Sequence, residues 1–292
     1  MYNIIFCLDN NYVPLIKYVL STFIKFNDPK KYTIHFIMYD PDINKISNME
    51  TQIKKQINKI SKDFNIVYKH LNPSNEFKEL VKNYETKLFK TNEKKKDNSV
   101  FGKLANWSRF LIAKSFPDMK TGLYLDLDIL FNKNIEGIFK TNISNSIVAV
   151  SPYTKGKKKN KIYNIIHKDR VKYLCETYPD IKIDMKKLDN WNYNCGVMYF
   201  NFDLFREQEV LKRLKLLLHC IIETKRICKS GTEKIQNLLI PQYETFSVDY
   251  NSIIKYSSYN AKNNIIIHFK GEKLHKNISQ QYKNIYDNIM KK

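Results

Sequence analysis

Apolar runs and long amphipathic segments alternate over the first 68 residues of the chain, and this order restricts the fold more than any other feature. Tyr2 to Leu8, Tyr32 to Tyr39 and the shorter Ile66 to Tyr68 are rich in β-branched and aromatic residues, which is typical of buried strands. Between them, Val13 to Phe26 and Ile43 to Phe64 carry apolar residues at helical spacing. The order strand, helix, strand, helix, strand predicts an α/β fold with a mostly parallel sheet and right-handed crossovers.

Composition and charge narrow the class of protein. A chain of 292 residues can bury the core of one large α/β domain, and a hydrophobic fraction of 43% excludes a disordered protein. The net charge of +21 attracts anions such as nucleotides, nucleic acid or acidic membrane surfaces. An alternative is that the many lysines, together with abundant Asn, Ile and Tyr, reflect AT-rich codons and lie on solvated faces.

The cysteines and the N-terminal residues indicate in which cellular compartment the protein is expected. The five cysteines are odd in number and lack the spacing of a zinc site, and Cys7 and Cys195 lie inside apolar strands as small buried hydrophobic residues. These features predict a reducing compartment. The chain as given starts with a strand, without a signal peptide or a stretch of about 20 apolar residues, so we expect a cytoplasmic protein.

Two aspartates interrupt an apolar run in the middle of the chain. Thr121 to Phe131, TGLYLDLDILF, predicts one buried strand of the central sheet, and Asp126 and Asp128 break its apolar pattern. Side chains two residues apart on a strand point to the same side, and two ionised carboxylates there repel each other unless a cation lies between them. Mg²⁺ or Mn²⁺ bound to a diphosphate fits such ligands. The alternative is a turn at the end of the strand, where Asp is common.

Polar residues after the first strand and ahead of the two aspartates are further candidates for binding a ligand. The turn DNNY follows the first strand, where Asp9 could contact a base or ribose and Tyr12 could stack on it. The absence of a GxGxxG motif excludes a dinucleotide fingerprint. Arg109, on a predicted helix from Phe101 to Phe116, either clamps a phosphate or forms a salt bridge on the helix surface.

The second half of the chain adds further candidates for binding a ligand or a metal. Asn192 to Asn201 predicts a strand, and its Gly196 indicates close approach of a ligand or of another backbone. His268 follows a last short apolar strand and is either structural or a third metal ligand. Gly271 and Lys273 indicate a loop that approaches a phosphate.

Several basic segments are interpreted as surface structure. Residues 72–98 predict a Lys-rich surface insertion, a helix followed by a mobile loop, to which we assign no chemistry. The run KGKKKNK at 155–161 is either solvated or closes over a substrate. Asp203 to Thr224 predicts a long core helix, and the basic segment 274–292 predicts a helix or tail that contacts an anionic membrane surface.

Four short motifs stand in a fixed order: LDNNY at 8–12, YLDLDIL at 124–130, NCGVMYFN at 194–201 and HFKGEK at 268–273. Together they resemble glycosyltransferase family 8, the group of glycogenin and the lipopolysaccharide galactosyltransferases. The resemblance implies a GT-A domain over residues 1–273, followed by a small C-terminal extension. It also implies a UDP-glucose or UDP-galactose donor, Mn²⁺ with Mg²⁺ as the alternative, and transfer with retention of the anomeric configuration.

The resemblance implies a role for each residue at a motif position. The implied contacts are Asp9, Asn11 and Tyr12 with uracil and ribose; Arg109 with the donor; Asp126, Asp128 and His268 with the metal; Asn194 and Gly196 with the sugar; and Gly271 and Lys273 with the diphosphate.

Two positions depart from the family pattern. The family's Asp-Gln pair, which helps to position the donor sugar, is matched here by Thr232 and Glu233 ahead of Asn237. The lysine of the family's HFxGxxKPW motif is replaced by Leu274, and the nearest lysines are Lys273 and Lys276.

The predicted catalytic residues are Asp126, Asp128, Lys273 and Glu233. The metal would act as a Lewis acid on the β-phosphate, and Lys273 would add positive charge as the sugar–phosphate bond breaks. Because the sequence offers no obvious carboxylate nucleophile beyond Glu233, we expect front-face transfer through an oxocarbenium-like state.

The predicted function is therefore transfer of a hexose from a UDP-sugar to an acceptor hydroxyl. The expected partners are the donor, an acceptor that is a glycan, a protein or a lipid-linked sugar, an anionic membrane surface at the basic C-terminus, and a second copy in a homodimer. Nucleic acid is not expected. The alternatives are a nucleic-acid-binding or phosphoryl-transfer protein, whose two-metal site would need more acidic ligands, and a degenerate transferase fold that acts as a binding module.

Overall fold

The computed structural model describes residues 1–40, 42–89, 104, 106–152, 162, 168–224, 231–253, 263–270 and 278–292. The described residues form a seven-stranded sheet and a three-stranded sheet. The strands are β1 Tyr2–Leu8, β2 Tyr32–Met38, β3 Asn65–His70, β4 Thr121–Leu125, β5 Ile129–Phe131, β6 Val148–Pro152, β7 Tyr193–Asn201, β8 Glu244–Thr245, β9 Ser252–Ile253 and β10 Ile266–His268. The helices are α1 Ile16–Phe26, α2 Ile43–Ile60, α3 Asn75–Phe89, α4 Ile112–Ser115, α5 Lys168–Thr177, α6 Phe202–Glu207, α7 Val210–Thr224, α8 Thr232–Leu239 and α9 Gln280–Lys291.

The large sheet has the strand order β3-β2-β1-β4-β7-β6-β8. Strands β3, β2, β1 and β4 are parallel to one another, β7 is antiparallel to both β4 and β6, and β8 is parallel to β6. This confirms the predicted mostly parallel α/β architecture. Because β1 and β4 are parallel neighbours, the loops that follow them meet at one edge of the sheet.

Alternate side chains of β1 pack into different cores on the two faces of the sheet. Ile5 joins the core that contains Trp107 and Leu214, whereas Phe6 joins the core that contains Phe23 on α1. Burial on both faces explains why the strands read as continuous apolar runs.

Four predicted helices differ from the observed ones. In the helix predicted from Phe101 to Phe116, the described part contains a 3₁₀ turn, Ser108–Leu111, ahead of α4. The segment that begins at Val13 starts as a 3₁₀ turn, Asn10–Leu15, before α1. Helix α2 ends at Ile60 rather than at Phe64. The long helix predicted from Asp203 to Thr224 is two helices, α6 and α7, and the chain turns between them where Glu209 has a φ of 49°.

Helix α3 belongs to the predicted Lys-rich insertion but also contributes to the core. Phe77, Val81 and Tyr84 on one face are buried, and the exposed carboxylate of Glu76 lies 2.8 Å from Lys215 Nζ on α7. The rest of the predicted insertion, from residue 90 to 98, lies outside the described residues, and so does the run at 155–161.

The C-terminal helix α9 packs against the small sheet. Its Tyr282, Ile285 and Ile289 are buried in a third core together with Leu130 of β5 and Ile267 of β10. The apolar face of this helix is thus occupied by the protein's own core, and contact of the basic segment with an anionic membrane surface stays a prediction. Among the described residues, no helix is both long and apolar enough to cross a bilayer.

His35 in β2 should make stability depend on pH. Its side chain is buried, Nε2 lies 3.0 Å from Asn3 Oδ1, and burial lowers the pKa of His35 to about 4 from an ordinary 6.5. The unfolded chain therefore takes up a proton near pH 6.5, whereas the folded chain takes it up only near pH 4. The stabilisation is complete above about pH 6.5 and is lost as the pH falls towards 4, by up to about 3 kcal/mol.

Urea unfolding at pH 7 and pH 5 checks this expectation. The difference in the free energy of unfolding between the two pH values should be smaller for His35→Gln than for the wild type. His219→Gln is the control because His219 is exposed on α7, and it should behave as the wild type. Equal pH dependence in the wild type and His35→Gln would contradict the prediction.

Candidate active site

The two aspartates lie where the chain passes from the large sheet to the small one. The sequence predicted one strand from Thr121 to Phe131, and this is wrong: β4 ends at Leu125, and β5 starts at Ile129 in the other sheet. The backbone N–H of Asp126 donates to Gly196 O at 2.8 Å, and the N–H of Phe269 donates to Asp128 O at 2.8 Å. The turn is thus bonded to β7 of the large sheet and to the residue that follows β10 of the small one. Both halves are apolar because both are buried: Leu125 and Ile129 lie in the same core, and Leu130 lies in the core that contains α9.

His268 completes a group of three metal-ligand side chains with these aspartates. Their ligating atoms all lie within 4.8 Å of one another. His268 Nε2 is 3.2 Å from Asp128 Oδ1 and 3.9 Å from Asp126 Oδ2, yet it is fully buried and makes no well-aligned hydrogen bond. Two carboxylates and an orphaned imidazole nitrogen that converge in this way fit a divalent cation.

The electrostatics of the three side chains are consistent with a cation between them. Burial raises the pKa of Asp126, against the opposing charge of Arg109. Burial alone would raise the pKa of Asp128 as well, but the positive charge of His268 holds it below its usual range. For His268, burial alone would lower the pKa, but the Asp128 carboxylate outweighs burial and raises it. Each of these three pKa values thus depends on the charge of its neighbours, and a cation between the side chains would supply positive charge to both carboxylates.

Arg109 is buried behind Asp126. Its Nη1 donates to Cys195 O at 3.1 Å, its Nε donates to Asn106 O at 3.0 Å, and its Nη2 lies 3.8 Å from Asp126 Oδ1. The same carboxylate oxygen accepts a 2.6 Å hydrogen bond from the Tyr124 hydroxyl. The predicted alternative of a salt bridge on a helix surface is wrong for Arg109, which holds Asp126 and adds buried positive charge to the site.

Glu233 and Lys270 form an ion pair beside the metal-ligand group. Lys270 Nζ lies 2.9 Å and 2.8 Å from the two carboxylate oxygens of Glu233, and Asn194 Nδ2 donates to Glu233 Oε2 at 2.9 Å. Glu233 is on α8, Asn194 is on β7, and Lys270 follows β10 by two residues. Three separate elements thus meet at this carboxylate.

These side chains surround a cavity of about 310 Å³. Its lining residues are Cys7, Tyr12, Asn106, Arg109, Tyr124, Asp126, Leu127, Asp128, Asn194, Cys195, Gly196, Thr232, Glu233, His268 and Lys270. The cavity lies at the carboxyl ends of β1 and β4, the edge at which open α/β sheets bind ligands.

Most residues predicted for the site line this cavity, and among the described ones only Asp9 and Asn11 do not. Asp9 is buried and accepts a 2.9 Å hydrogen bond from the Asn11 N–H, so it caps the turn Asn10–Leu15, and Asn11 itself is exposed. Neither residue is among those that line the cavity. Gly271 and Lys273 lie outside the described residues, as do Leu274 and Lys276.

Gly196 stands where no larger residue fits. A Cβ built on Gly196 would overlap Cε1 of His268 and would lie 2.9 Å from both Asp126 Oδ2 and Asn194 Oδ1. The close approach predicted from a glycine inside a strand is therefore an approach of metal-ligand side chains to the backbone of β7.

Sequence reasoning missed several polar residues at the site, among them Lys270 and Asn251. Lys270 is two positions after His268, so strand alternation would have placed it on the same side. Asn251 contacts His268 Nδ1 at 2.9 Å but belongs to a short 3₁₀ turn with no periodic pattern, so the sequence carried no signal for it.

Three solved structures with a similar fold are distant in sequence. A galactosyltransferase, LgtC, in complex with donor and acceptor sugar analogs, is 12% identical with a TM-score of 0.64, over 98% of this chain and 94% of that chain. The glycosyltransferase GlyE of Streptococcus pneumoniae TIGR4 is 13% identical with a TM-score of 0.59, over 99% and 59% of the two chains. Mouse xyloside xylosyltransferase 1 is 11% identical with a TM-score of 0.56, over 92% and 98%. These likenesses show the GT-A fold.

Sequence comparison assigns the family. No curated protein sequence matches the chain. The model of glycosyl transferase family 8 matches residues 3–274, nearly the whole chain and all four motifs. With the aspartates, the glycine of β7 and the histidine of β10 gathered around one cavity, this chain belongs to glycosyl transferase family 8.

Proposed function

We propose that this glycosyltransferase is metal-dependent and moves a hexose, glucose or galactose, from a UDP-sugar to an acceptor hydroxyl with retention of configuration. The observation that carries the proposal is the group of Asp126, Asp128 and His268 inside a cavity at the carboxyl ends of β1 and β4. A cation held by these three side chains would face the cavity, which leaves room for a ligand such as a nucleotide diphosphate on the cation. This favours a ligand-binding cation over a purely structural one.

Asp126, Asp128 and His268 would hold the cation. An imidazole ligand favours Mn²⁺ over Mg²⁺, which prefers oxygen ligands throughout. When bound, the cation supplies positive charge that stabilises the leaving diphosphate. Arg109 contributes by fixing Asp126 and by keeping the site positively charged after the carboxylates have bound the cation.

The donor nucleotide would extend past Tyr12. The Tyr12 ring lines the cavity, and burial together with the nearby carboxylates of Asp128 and Asp126 raises the pKa of its hydroxyl. Tyr12 therefore stays neutral and offers both a flat face and a hydrogen bond to the base or ribose. Asp9 would act one step away from the ligand, by holding the turn that presents Tyr12.

Glu233 is poorly arranged to attack the sugar. Lys270 contacts both of its carboxylate oxygens and Asn194 contacts one of them, so its charge is compensated. This supports front-face transfer, in which Glu233 and Asn194 orient the sugar and the acceptor hydroxyl enters on the side of the leaving diphosphate. Part of the rate enhancement would then come from holding the sugar and the acceptor hydroxyl in the correct orientation.

We infer that Lys270 takes the role that the sequence predicts for Lys273: when a donor binds, its Nζ would exchange the contact with Glu233 for one with the leaving diphosphate. Lys270 lines the same cavity as the aspartates, and its side chain is 31% exposed and can reach a ligand. Replacing Lys270 with methionine should lower kcat for donor cleavage about 10²-fold, because one charged donor to a leaving group contributes on that scale. Lys283→Met, on the exposed face of α9, is the control and should change nothing. Wild-type kcat in Lys270→Met would contradict the role of Lys270.

The proposal is tested by donor cleavage without an added acceptor. UDP release is measured from UDP-glucose, UDP-galactose and their N-acetyl forms, with Mn²⁺, with Mg²⁺ and with a chelator. We expect Mn²⁺-dependent release from one of the two hexose donors, which names the sugar. No release from any of the four, and no binding of UDP, would contradict the proposal. The acceptor remains a glycan, a protein or a lipid-linked sugar.

A two-metal phosphoryl-transfer function has less support. Such a site needs a second set of acidic ligands about 4 Å from the first. In the parts of the chain that the structure describes, Asp126, Asp128 and His268 are the one group of this kind.

A further inference from the structure

We propose that Asn251 is a positioning residue that fixes which ring nitrogen of His268 carries the proton, so that Nε2 is ready to bind the cation. The inference rests on the metal site of the proposed function and assigns a role to a residue outside the four sequence motifs. It follows from the direction of a chain of buried hydrogen bonds that begins at the backbone of Gly196.

The chain passes through three buried side chains. The Gly196 N–H donates to Asn194 Oδ1 at 2.9 Å, and Asn251 Nδ2 donates to the same oxygen at 3.0 Å. Asn251 Oδ1 lies 2.9 Å from Nδ1 of His268. Asn194, Asn251 and His268 are only 3%, 6% and 1% exposed, so water does not replace these partners.

The orientation of Asn194 is fixed at both of its ends. A backbone N–H can only donate, so the Asn194 atom that faces Gly196 must be the oxygen. The other end of the amide lies 2.9 Å from the Glu233 carboxylate, which accepts and therefore requires the NH₂ group. Rotating the amide by half a turn would place a donor against a donor and an acceptor against an acceptor.

The orientation of Asn194 fixes that of Asn251 and then that of the imidazole. Asn194 Oδ1 accepts, so Asn251 must present its NH₂ group to it and its oxygen to His268. An oxygen at 2.9 Å from Nδ1 requires a proton on Nδ1. The neutral ring then carries its lone pair on Nε2, the nitrogen that faces Asp126 and Asp128.

A hydrogen bond of this kind has a measurable effect on a metal site. Metal-ligating histidines donate their other ring N–H to a fixed acceptor, which sets the tautomer and the ring orientation, and losing that acceptor costs about 10- to 100-fold in metal affinity. Asn251 is a neutral amide with one acceptor and one donor in use, so it can hold the ring and be held by Asn194 in turn.

The test compares three variants of the full chain. Asn251→Leu removes both hydrogen bonds at similar size, and Asn251→Asp keeps an acceptor for Nδ1–H but loses the donor to Asn194. Asn27→Leu is the matched control: Asn27 is also buried, also donates one hydrogen bond and accepts another, and contacts none of the three ligand side chains. Mn²⁺ affinity is measured from the electron paramagnetic resonance signal of the free ion. The tautomer is read from the ¹⁵N shifts of the His268 ring in metal-free protein, at alkaline pH where the ring is neutral.

We expect Asn251→Leu to weaken Mn²⁺ binding 10- to 100-fold and Asn251→Asp to weaken it less than 10-fold. Asn27→Leu should lower the Tm about as much as Asn251→Leu does but leave Mn²⁺ binding unchanged. In the wild type, Nδ1 should carry the proton. Wild-type Mn²⁺ affinity in Asn251→Leu, or a proton on Nε2 of the wild-type ring, overturns the inference. A wild type that binds no Mn²⁺ contradicts the proposed metal site instead, and the ¹⁵N spectrum then decides the role of Asn251 alone.

Discussion

Replacing Asp128 with asparagine should lower Mn²⁺-dependent cleavage of the donor about 10³-fold or more. The variant keeps the shape of the side chain but removes one of the two negative charges that would hold the cation. A factor of 10³ corresponds to about 4 kcal/mol, within the range that a Lewis-acid cation contributes to a transition state. Because Asp128 is one of the three side chains proposed to bind the cation, Mn²⁺ affinity should fall together with kcat.

The measurement is a pair of titrations on the same preparation. Mn²⁺ binding is followed by electron paramagnetic resonance, and UDP release is followed at saturating donor over a range of Mn²⁺ concentrations. Asp118→Asn is the control because Asp118 is exposed and precedes β4 on the far side from the cavity. Wild-type cleavage by Asp128→Asn at low Mn²⁺ would show that the aspartates are a strand-terminating turn and no more.

Replacing Gly196 with alanine should disrupt the proposed metal site without removing a charged side chain. The added Cβ would overlap the His268 ring and press on the carboxylate of Asp126 at 2.9 Å. Neither neighbour can yield freely, because His268 is held by Asn251 and Asp126 by the Tyr124 hydroxyl. Misplacing a ligand by about 1 Å costs about 10²-fold in rate, and overpacking a buried position costs about 1–3 kcal/mol of stability.

Thermal unfolding and Mn²⁺ titration separate the two effects of this change. The Mn²⁺ affinity of Gly196→Ala should fall about 10²-fold, with a Tm that drops by several degrees. Gly231→Ala is the matched control: a Cβ there meets nothing within 4 Å, and the residue caps α8 with a negative φ that alanine also adopts. A Gly196→Ala variant that binds Mn²⁺ as the wild type does would mean that the glycine serves only the packing of β7.

The fold was largely predictable because its signal is local. The alternation of apolar strands and amphipathic helices fixed the order of β1, α1, β2, α2 and β3, and the apolar faces on both sides of β1 indicated a central strand. The split between β4 and β5 was not predictable from the apolar pattern. Both strands are equally buried, and only the pairing of Ile129 with His268 in the other sheet distinguishes them.

The site was predictable only where one residue suffices to suggest the chemistry. Asp126, Asp128 and His268 are metal ligands by residue type, and Gly196 signals close packing by lacking a side chain. The roles of Asp9 and Arg109 depend on which partners the fold supplies. Asp9 caps the turn that follows it, a local contact that its residue type permits. Arg109 contacts Cys195, 86 residues away, and that contact has no signal in the sequence.

Residues that act through others gave no signal of their own. Asn251 is one asparagine among many, and its contact with His268 joins β10 to the turn that precedes β9. Lys270 had a weak signal in strand alternation, but its pairing with Glu233 joins elements 37 residues apart. Such contacts become visible only when the packing of β7, α8 and β10 is known.

Locating the cation tests the proposed metal-dependent transfer most directly. Crystals grown with Mn²⁺ and UDP should show one anomalous manganese peak bonded to Asp126, Asp128 and Nε2 of His268 and to an oxygen of the β-phosphate, with the uracil on the side of Tyr12. A manganese peak elsewhere, or UDP bound in the cavity without these three side chains around a cation, would contradict the proposed metal-dependent transfer.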